Sequence, residues 1–418
     1  MNTALMIAFH YPPCSGSSGV HRTLKFSHYL QAAGWQPVVL TAHPRVYERT
    51  AESQLSEIPP SVPVHRAFAL DASRHLSLRG AFPRSIALPD RWATWWLGAV
   101  PAGLRLIRRH RPRVIWSTYP IATAHLIGLT LHRLTGLPWV ADFRDPMTED
   151  DYPPDALRRR VYRWIERQAV ARASRLVFVA ESAVDLYMKR YPGLARERCQ
   201  LIPNGYDESD FRGLAPALSP NGHVERPLRL LHAGLIYQEE RDPRPFFRSL
   251  SRLKRDGRVS RQTLRIDLRA AGSEPVYASI LRELDIDDIV HLLPSIPYRQ
   301  VLQECLDADA LVLMQGAWCN NQIPAKAYEY LRVGKPILGL ASEAGDTAAL
   351  LRRTGGATLV DLDDEAGICA ALPDFLRRVR ARSHPLPDSA QVVSYARDRQ
   401  AVVLAETLTQ VLRASGGR

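Results

Sequence analysis

Two carboxylates and a guanidinium follow a short apolar segment in the first half of the chain. The segment Trp139-Val-Ala-Asp142-Phe-Arg144-Asp145-Pro predicts a strand whose carboxyl end carries Asp142, Arg144 and Asp145. Loops positioned by a rigid scaffold are where catalytic side chains are commonly found. We therefore interpret these three residues as candidate catalytic groups, although the sequence does not show which of them acts as acid or base. The alternative is an Asp–Arg ion pair that only shapes the loop.

A loop rich in glycine and serine follows the first predicted strand. Gly16 and Gly19 permit tight backbone turns, and backbone N–H groups at a helix start bind anions. Ser17 and Ser18 lie between the glycines, and Arg22 follows on the predicted helix. We expect this loop to contact a phosphate or an acceptor. Its spacing is neither of the common nucleotide-binding glycine motifs, so an ordinary strand-to-helix turn is the alternative.

A glycine and an arginine also follow the first predicted strand of the second half. Gly234 and Tyr237 come after the strand predicted at residues 228–233, and Arg241 is four residues further on. A ligand can approach the backbone closely at glycine, and arginine pairs with phosphate through two parallel hydrogen bonds. The pattern indicates a pyrophosphate site. The alternative is a solvated arginine in an ordinary loop.

A third candidate group lies in the segment Asn321-Gln-Ile323-Pro-Ala-Lys326-Ala-Tyr-Glu329. Its proline is suited to the first turn of a helix. Lys326 would lie near the positive end of that helix, which is unfavourable for a cation unless an anion binds there as well. Glu329 could accept both hydroxyl groups of a ribose. The alternative is a surface ion pair between Lys326 and Glu329, worth only about 0.2–0.5 kcal/mol.

The elements that must position these residues alternate between short apolar runs and longer amphipathic segments. This order predicts right-handed βαβ units and parallel sheets. Strands are predicted at residues 4–9, 37–41, 114–117, 139–142, 175–180, 228–233, 264–270, 289–293, 310–314 and 336–340. We expect an α/β protein of two doubly wound, Rossmann-like domains that face a cleft, with ligands at the carboxyl ends of the strands.

The domain boundaries are predicted from composition. Residues 213–222 are rich in proline and glycine and have no hydrophobic periodicity, which indicates a linker. We expect a first domain at residues 1–212, a linker at 213–227, a second domain at 228–390 and a C-terminal helix at 391–418 that packs back toward the first domain. Asn204 and Gly205 predict a turn between the domains.

The net charge of the 418-residue chain is +12, and it is unevenly distributed. Residues 1–212 contain 28 Lys and Arg against 18 Asp and Glu, whereas the remainder contains 27 against 25. This asymmetry suggests that the first half faces lipid head groups, a phosphorylated acceptor or nucleic acid. A general preference for arginine is the alternative explanation.

The cysteines and the N-terminus indicate the compartment. The five cysteines form no C-x-x-C pair, which fits a reducing compartment better than a disulfide framework. The N-terminal segment has no basic residues before its apolar run, and no uninterrupted apolar stretch of about 18 residues occurs. We expect a cytoplasmic protein without a signal peptide or membrane-spanning helix.

Taken in order, these segments resemble glycosyltransferase family 4, which has the GT-B fold. The family's opening "yPP…GG…R" is similar to residues 11–22, and its "DfRDpw" variant to residues 142–146. Its "ipNGvD" is similar to residues 202–207, and its "iPgKlyEYLaaGKPil" to residues 323–338. The resemblance extends over nearly the whole chain and keeps the order and spacing of the motifs.

The resemblance implies a glycosyltransferase that moves a sugar from a nucleotide-sugar donor to a glycan or lipid-linked acceptor. It implies a donor site in the second domain and an acceptor site in the first domain. Glu329 would hold the ribose, and the Gly234 loop would bind the diphosphate with Arg241 and Lys326. Family members typically retain anomeric configuration and need no metal ion or other cofactor. The implied donor-binding residues are Gly234, Tyr237, Arg241, Asn321, Ile323, Lys326 and Glu329.

The sequence departs from the family pattern at two positions of the donor motif. Asn321 stands where the family usually has the first of two glutamates eight residues apart, and that carboxylate normally contacts the sugar hydroxyls. Ala325 stands where the motif has glycine. The identity of the donor sugar is therefore open, as are the donor base, the acceptor, the linkage and the oligomeric state.

Other functions remain as alternatives. A non-transferase enzyme of the same fold, such as a nucleotide-sugar epimerase, would share the donor site. A nucleic-acid-binding protein is suggested by charge alone, but no nucleic-acid-binding module is present. Asp-x-Asp strings at residues 285–287, 307–309 and 361–363 could indicate a metal-dependent transferase, although such spacing is common by chance and βα units contradict that fold.

A segment of the first half pairs tryptophans with arginines. Trp92, Trp95 and Trp96 share one helical face, and an arginine cluster at residues 105, 108 and 109 repeats the spacing. Tryptophan prefers the membrane interface and arginine prefers anionic head groups. We expect a peripheral, salt-sensitive contact with the inner face of the cell membrane, with a core helix that has a basic end as the alternative. Pro101 would kink or break the helix between the two sets.

Overall fold

The computed structural model describes residues 1–15, 19–77, 82–149, 151–217, 226–237 and 241–416. The chain divides into two compact units. Unit 1 contains Met1–Pro203 and the C-terminal segment from Arg397 onward, and unit 2 contains Asn204–Ala396. Each unit is built on one parallel sheet with helices, so the predicted fold class, α/β with two Rossmann-like sheets, is confirmed.

The sheet of unit 1 has the strand order β3-β2-β1-β4-β5-β6-β7, and all of its pairs are parallel. The order reverses direction between β1 and β4, which is the position where ligands bind in doubly wound sheets. The seven strands are β1 (Asn2–Ile7), β2 (Trp35–Ala42), β3 (Val64–Ala67), β4 (Val114–Thr118), β5 (Trp139–Phe143), β6 (Arg175–Phe178) and β7 (Cys199–Leu201).

The sheet of unit 2 has the order β10-β9-β8-β11-β12-β13 and is also parallel throughout. The strand order reverses between β8 and β11, so the equivalent ligand position lies beyond the carboxyl ends of these two strands. The six strands are β8 (Leu228–Ala233), β9 (Leu264–Arg269), β10 (Val290–Leu293), β11 (Ala310–Gln315), β12 (Ile337–Ala341) and β13 (Ala357–Val360).

The helices connect successive strands and cover the faces of the sheets. None of the described helices is long and apolar enough to cross a membrane. They are α1 (Gly19–Tyr29), α2 (Ala72–His75), α3 (Trp95–His110), α4 (Ala122–Thr135), α5 (Ala156–Arg172), α6 (Glu181–Arg190), α7 (Arg244–Arg255), α8 (Glu274–Glu283), α9 (Tyr298–Asp307), α10 (Lys326–Val333), α11 (Asp346–Thr354), α12 (Glu365–Arg380), α13 (Ser389–Val392) and α14 (Arg397–Gly416).

The central strands of unit 1, β1, β4 and β5, are buried on both faces apart from the start of β1, as expected when helices cover a parallel sheet. One face packs against α3, α4 and α5. The other face packs against α1 and the C-terminal helix α14, whose Leu404 and Leu408 share an apolar cluster with Phe26 and Trp116. Because α14 supplies part of this cluster, the core of unit 1 is assembled from two segments that are distant in sequence.

The observed boundary differs from the predicted one. Tyr206 forms a parallel bridge with Ala396, and Phe211 is buried in an apolar cluster of unit 2, so the chain enters unit 2 at Asn204 rather than after residue 212. The described part of the predicted linker at 213–227 packs on α9, where Ala217 N donates to Asp307 Oδ1 at 2.8 Å. Residues 218–225 lie outside the described ranges.

The predicted tryptophan surface on α3 is wrong in its aromatic part. Trp95 is fully buried, Trp96 Nε1 donates to Thr130 Oγ1 at 2.9 Å, and Trp92, which precedes α3, packs at a tilted angle against Phe9. These side chains therefore belong to the core of unit 1 and its inner surface. Helix α3 also continues through Pro101 without a break.

Candidate functional site

The carboxyl end of β5 places Asp142 in the interior of unit 1. Its carboxylate receives two hydrogen bonds from Arg22, from Nη2 to Oδ1 at 2.8 Å and from Nε to Oδ2 at 3.1 Å. Thr118 Oγ1 adds a third at 2.8 Å, and both members of the ion pair are fully buried. Asp142 therefore already has its partners, and the geometry gives it a positioning role rather than contact with a substrate.

Arg22 does not have the predicted position in a ligand loop. Besides Asp142, its guanidinium donates to the carbonyl oxygens of Pro203 at 2.9 Å and Ile202 at 3.0 Å. A fully buried guanidinium whose donors meet a carboxylate and two carbonyls is satisfied by the protein itself. Arg22 thus links α1, β5 and the segment that ends unit 1. Its partner lies 120 residues away, which is why the sequence does not show the pair.

Arg144 is the exception among the buried charges of this region. Only 8% of its surface is exposed, and its Nε has no hydrogen-bond partner among the described residues. Burial lowers the pKa of Arg144 below its ordinary value, while Asp145 favours the charged form. A buried cation of this kind is costly unless an anion satisfies it. Arg144 is therefore the best candidate in unit 1 for a group that contacts developing or permanent negative charge.

The loop that carries Asp145 is anchored by a buried carboxylate on α5. Glu166 on α5 accepts from Tyr187 at 2.9 Å, from Arg190 at 2.8 Å and from Thr148 at 3.2 Å. Arg190 donates as well to the carbonyl of Thr148 at 2.9 Å, and Met147 N donates to the Tyr187 hydroxyl at 3.2 Å. These contacts fix the backbone two and three residues after Asp145, which limits where its side chain can lie.

His10 is a site residue that the sequence analysis missed. It follows β1 and lines a small cavity together with Arg144, Thr118 and Tyr119. Burial, with a further contribution from Arg144, lowers the pKa of His10 to about 3, so the imidazole is neutral near pH 7. Its position directly after the first strand, beside the strand-order reversal, is the signal that could have identified it.

In unit 2, Lys326 lies close to Gly234 at the carboxyl end of β8. Gly234 has a φ of +96°, and a Cβ atom at this position would lie 3.2 Å from Lys326 Nζ. A larger residue would be strained and would push the lysine away. Lys326 is the first residue of α10, where backbone N–H groups and the helix dipole favour an anion. The two predicted donor residues are thus brought together.

His232 holds Lys326 in place and was not identified from the sequence. The buried ring lies with Nδ1 2.9 Å from the carbonyl of Val312, which can only accept, so Nδ1 carries the proton. Nε2 therefore accepts from Lys326 Nζ at 3.0 Å. Burial and the neighbouring Lys326 lower the pKa of His232 well below its ordinary value.

The positive charge of Lys326 is itself disfavoured. Burial, and then the proximity of Arg241, lower the pKa of Lys326 from its ordinary value to about 7. Arg241 is 8% exposed and lies over the ring of Tyr237, with 5.5 Å between Cζ and the ring centroid. Two cations held near each other around a glycine form a site that an anion would stabilise.

The remaining predicted donor residues take different positions. Glu329 is half-buried on α10 and its Oε1 accepts from the Tyr298 hydroxyl at 2.7 Å. Asn321 is exposed, and Ile323 packs on the apolar cluster under α10. Glu329 thus shares the amino-terminal turn of α10 with Lys326, while Tyr298 is a contact that the sequence did not indicate.

Two of the predicted loop sites are not formed as predicted or cannot be described. Gly16, Ser17 and Ser18 lie outside the described residues, and Gly19 is the buried first residue of α1. Asn204 and Gly205 follow the boundary between the units, but no turn is formed there and Gly205 does not adopt a positive φ. Among the described residues there is no group of three or more His, Cys, Asp or Glu that could hold a metal ion.

One family model matches the chain. Residues 19–205 match the model described as "Glycosyl transferase 4-like domain". This range contains most of unit 1, including the Arg22–Asp142 pair, Arg144 and Asp145. The match confirms the predicted resemblance and the predicted class of enzyme. No curated protein matches the sequence.

Solved structures share the fold over the whole chain. Sucrose-phosphate synthase from Thermosynechococcus elongatus has a TM-score of 0.66 at 13% identity, with 99% of this chain and 100% of that chain covered. WaaG, a glycosyltransferase involved in lipopolysaccharide biosynthesis, has a TM-score of 0.59 at 15% identity, covering 99% and 98%. Anabaena HepE in complex with UDP-glucose has a TM-score of 0.58 at 12% identity, covering 99% and 98%.

The same fold occurs in an enzyme of another class. UDP-GlcNAc 2-epimerase from Methanocaldococcus jannaschii has a TM-score of 0.55 at 10% identity, with 98% of this chain and 100% of that chain covered. At these identities the similarity of the solved structures shows the fold alone.

Proposed function

From the premise that residues 19–205 form a glycosyl transferase 4-like domain, we propose that the chain moves a sugar from a nucleotide-sugar donor to a glycan or lipid-linked acceptor. We assign the reaction to the synthesis of a cell-surface polysaccharide or glycolipid, in which acceptors of this class would be used. WaaG, which has a similar fold, is involved in lipopolysaccharide biosynthesis and supports this assignment. We also propose that anomeric configuration is retained, as is typical of the family that the sequence resembles.

The observation that carries the proposal is the close approach of Lys326, at the start of α10, to Gly234. A glycine with φ +96°, a lysine held by His232 and an arginine with little exposure together suit a diphosphate group. Such groups stabilise the negative charge that develops on a leaving nucleoside diphosphate. The bond between the anomeric carbon and the diphosphate oxygen breaks, the acceptor oxygen forms the new bond, and the acceptor proton passes to the leaving diphosphate or to solvent.

Glu329 extends the proposed donor site toward the nucleoside. A carboxylate can accept hydrogen bonds from both hydroxyls of a ribose. Tyr298 already donates to one of its oxygens at 2.7 Å and orients the carboxylate. The structure of HepE contains UDP-glucose, and a nucleotide sugar is the donor class that we assign to this chain.

The test is donor turnover and binding with the full chain. UDP-, GDP- and ADP-sugars are incubated with and without lipid extracts, and EDTA is included in a parallel set because we propose that no metal ion is needed. One donor class should be consumed only when acceptor is present, with or without EDTA. Glu329→Ala should weaken binding of that donor in calorimetry without loss of folded structure. Unchanged donor affinity in this variant would remove Glu329 from the site.

An epimerase is the second candidate, because the fold is shared with UDP-GlcNAc 2-epimerase. An epimerase would convert UDP-GlcNAc without any acceptor and would leave the nucleotide attached or release it by hydrolysis. The same incubations without lipid extract separate the two functions: conversion of the sugar in the absence of acceptor would favour the epimerase.

We also propose a peripheral contact of unit 1 with an anionic membrane. The tryptophans no longer support it, but Arg105, Arg108 and Arg109 are exposed on the last turns of α3. Arginines near an anionic leaflet each contribute roughly 1 kcal/mol, screened by salt. A contact of this kind would bring the enzyme to a lipid-linked acceptor.

A further inference from the structure

A cavity of about 640 Å³ lies at the amino ends of β5, β6 and β7 in unit 1. Its walls come from the last turns of α4 and α5, from Ser174 and Arg175 at the start of β6, and from the last turns of α14. The candidate catalytic loop follows the opposite end of β5, roughly 13 Å away along the strand. The volume is in the range of small-molecule sites, and the function derived so far does not use this cavity.

The charges in the lining of this cavity have one sign. Arg172, Arg175 and Arg198 each contribute a positive charge, and no Asp or Glu is among the described residues that line it. The three arginines come from the end of α5, the start of β6 and the turn before β7. Glu197 precedes Arg198 in the sequence, but it is exposed, does not line the cavity and forms no ion pair among the described residues. No carboxylate therefore balances the arginines.

Most hydrogen-bond donors of these arginines are unused. Arg172 Nε donates to Gln168 Oε1 at 3.0 Å, and Arg175 Nη1 donates to the carbonyl of Ser174 at 3.3 Å. The other N–H groups of these two guanidinium groups have no partner among the described residues. Burial lowers the pKa of Arg198 below its ordinary value, and the charge of Arg175 lowers it further. The positive charges thus repel each other across the cavity.

The ends of three helices compensate part of this charge. Arg198 Nη2 donates to the carbonyls of Val170 and Ala173 at 2.6 Å each, so it caps the end of α5. The carboxyl end of a helix carries about half a negative charge, so the ends of α4, α5 and α14 contribute about one and a half together. The three arginines exceed this by about one and a half positive charges. A phosphate monoester carries about 1.5 to 2 negative charges near neutral pH and would balance the excess.

We propose that this cavity is an anion site that binds the phosphate group of a phosphorylated ligand. Arg172 and Arg175 donate to the phosphate oxygens, and Arg198 contributes the N–H groups that the end of α5 does not use. The Ser174 hydroxyl has no partner among the described residues and is a further donor. The phosphate belongs either to a free metabolite or to a phospholipid head group. The site is separate from the proposed donor site and from the loop after β5, so it does not rest on the proposed function.

The test measures binding to the full chain by calorimetry at low salt. The probes are glucose 6-phosphate and glycerol 3-phosphate, with glucose and glycerol as their neutral counterparts. At least one phosphorylated probe should bind at least about tenfold more tightly than its neutral counterpart, since hydrogen bonds to charged groups are the stronger ones. The titrations are repeated with Lys326→Met, because a phosphate could also bind the proposed donor site. Binding in the cavity should be kept in that variant.

Variants locate the binding. Arg172→Gln combined with Arg175→Gln should weaken binding of the phosphorylated probe by about tenfold or more. The matched control combines Arg160→Gln and Arg163→Gln, two exposed arginines of α5 that do not line the cavity, and should bind like the wild type. Ala414→Phe keeps all three arginines but fills part of the cavity, so it should also weaken binding. Thermal unfolding shows whether each variant is folded, and the arginine variant and Ala414→Phe change different elements, so one keeps the test valid if the other is not folded.

Vesicles distinguish the two sources of the phosphate. The full chain is cosedimented with vesicles of phosphatidylglycerol and phosphatidylcholine, and with vesicles of phosphatidylcholine alone. Binding to the phosphatidylglycerol vesicles that is lower in the Arg172/Arg175 variant than in the Arg160/Arg163 control identifies a lipid head group. Binding of a soluble probe without such a difference identifies a free metabolite.

The site is overturned by three results. The first is equal binding of phosphorylated and neutral probes together with vesicle binding that does not depend on Arg172 and Arg175. The second is wild-type binding of the soluble probe by the folded Arg172/Arg175 or Ala414→Phe variant. The third is an equal loss in the two double arginine variants, which would reduce the effect to net charge. Nucleotide-sugar turnover is unaffected by these outcomes, so the proposed function is tested independently.

Discussion

At the scale of single residues, the two buried arginines of unit 1 behave differently. Arg22 has a carboxylate and two carbonyls as partners, whereas the Nε of Arg144 has no hydrogen-bond partner among the described residues. A buried ion pair whose donors and acceptors are all satisfied serves structure, whereas a buried cation with an unsatisfied donor indicates a ligand. The sequence shows both arginines but does not distinguish them, because the partner of Arg22 is remote in sequence.

The difference predicts opposite effects of substitution. Asp142→Ala leaves Arg22 buried without its carboxylate and should lower the free energy of unfolding by about 3–5 kcal/mol. Arg144→Met removes a costly charge and should leave stability equal or higher, but it should lower kcat more than it weakens donor binding. Asp145→Ala should also lower kcat. Urea unfolding measures the effects on stability, and steady-state kinetics measures the effects on kcat. A fully active Arg144→Met variant would show that the loop has only a structural role.

Lys326 predicts a proton linkage in the donor site. Because its pKa is about 7 in the unliganded protein, about half of the molecules carry a neutral lysine at that pH. A bound diphosphate favours the charged form and raises this pKa, so binding takes up protons at and above pH 7. Affinity should then fall as the pH rises from 7 to about 9, the range in which the free lysine is already deprotonated.

Calorimetry measures this uptake directly. Titration of the nucleoside diphosphate of the preferred donor in buffers of different ionisation enthalpy should show proton uptake at pH 7.5. Lys326→Met should bind more weakly and without that uptake. His232→Leu removes the acceptor that orients Lys326 and should weaken binding to a smaller extent. Equal heats in all buffers for the wild type would contradict the linkage.

At the scale of the elements, the loop after β5 depends on α5 and α6. Glu166 gathers donors from Tyr187, Arg190 and Thr148 and thereby fixes the loop that carries Asp145. Glu166→Ala should lower the free energy of unfolding by about 1–3 kcal/mol, because the buried Tyr187 hydroxyl loses its acceptor, whereas the partly exposed Arg190 can turn to solvent. Glu181→Ala is the matched control, because its ion pair with Arg196 is exposed and is worth at most about 1 kcal/mol. Similar losses in urea unfolding for both variants would contradict this role of Glu166.

The sequence predicted the central strands well and the edge strands poorly. All ten predicted strands are present, because long apolar runs between helical segments have few other arrangements. The strands β3, β7 and β13 were missed. They are three or four residues long, and β3 (Val-His-Arg-Ala) and β13 are only partly buried, so their hydrophobic patterns are weak. Their existence is determined by pairing with a neighbouring strand rather than by local sequence.

The candidate site shows the same difference between features that the local sequence indicates and features that depend on tertiary contacts. Gly234, Lys326 and Glu329 were predicted because they lie on strand ends and helix starts that the sequence itself indicates. The sequence analysis missed His10, His232 and Tyr298. The role of an isolated histidine or tyrosine depends on its neighbours in the fold, which the sequence does not show. The aromatic set on α3 was misinterpreted because the same spacing serves a membrane face and a buried face.

At the scale of the whole molecule, the excess positive charge belongs to the first half of the chain. The triple variant Arg105/Arg108/Arg109→Gln tests whether this charge serves a membrane. Wild-type protein should cosediment with anionic vesicles at low salt and be released at high salt, because the contribution of each arginine is screened. The triple variant should bind less.

A matched triple variant of unit 2 controls for net charge. Arg255, Arg258 and Arg261 are exposed, and their replacement by Gln removes the same charge from the other unit. This control should bind vesicles like the wild type. If both triple variants lose binding equally, only net charge is involved. If neither does, Arg105, Arg108 and Arg109 do not form the membrane contact.

The packing of α14 on the sheet of unit 1 has a consequence for synthesis on the ribosome. The apolar surface around Phe26 and Trp116 stays uncovered until Leu404 and Leu408 have left the exit tunnel, nearly the whole length of the chain later. Unit 2 is one continuous segment and can fold before that moment. The first unit to be translated is thus the last to be completed, and a nascent chain that stalls before Arg397 would present an apolar face to chaperones and proteases.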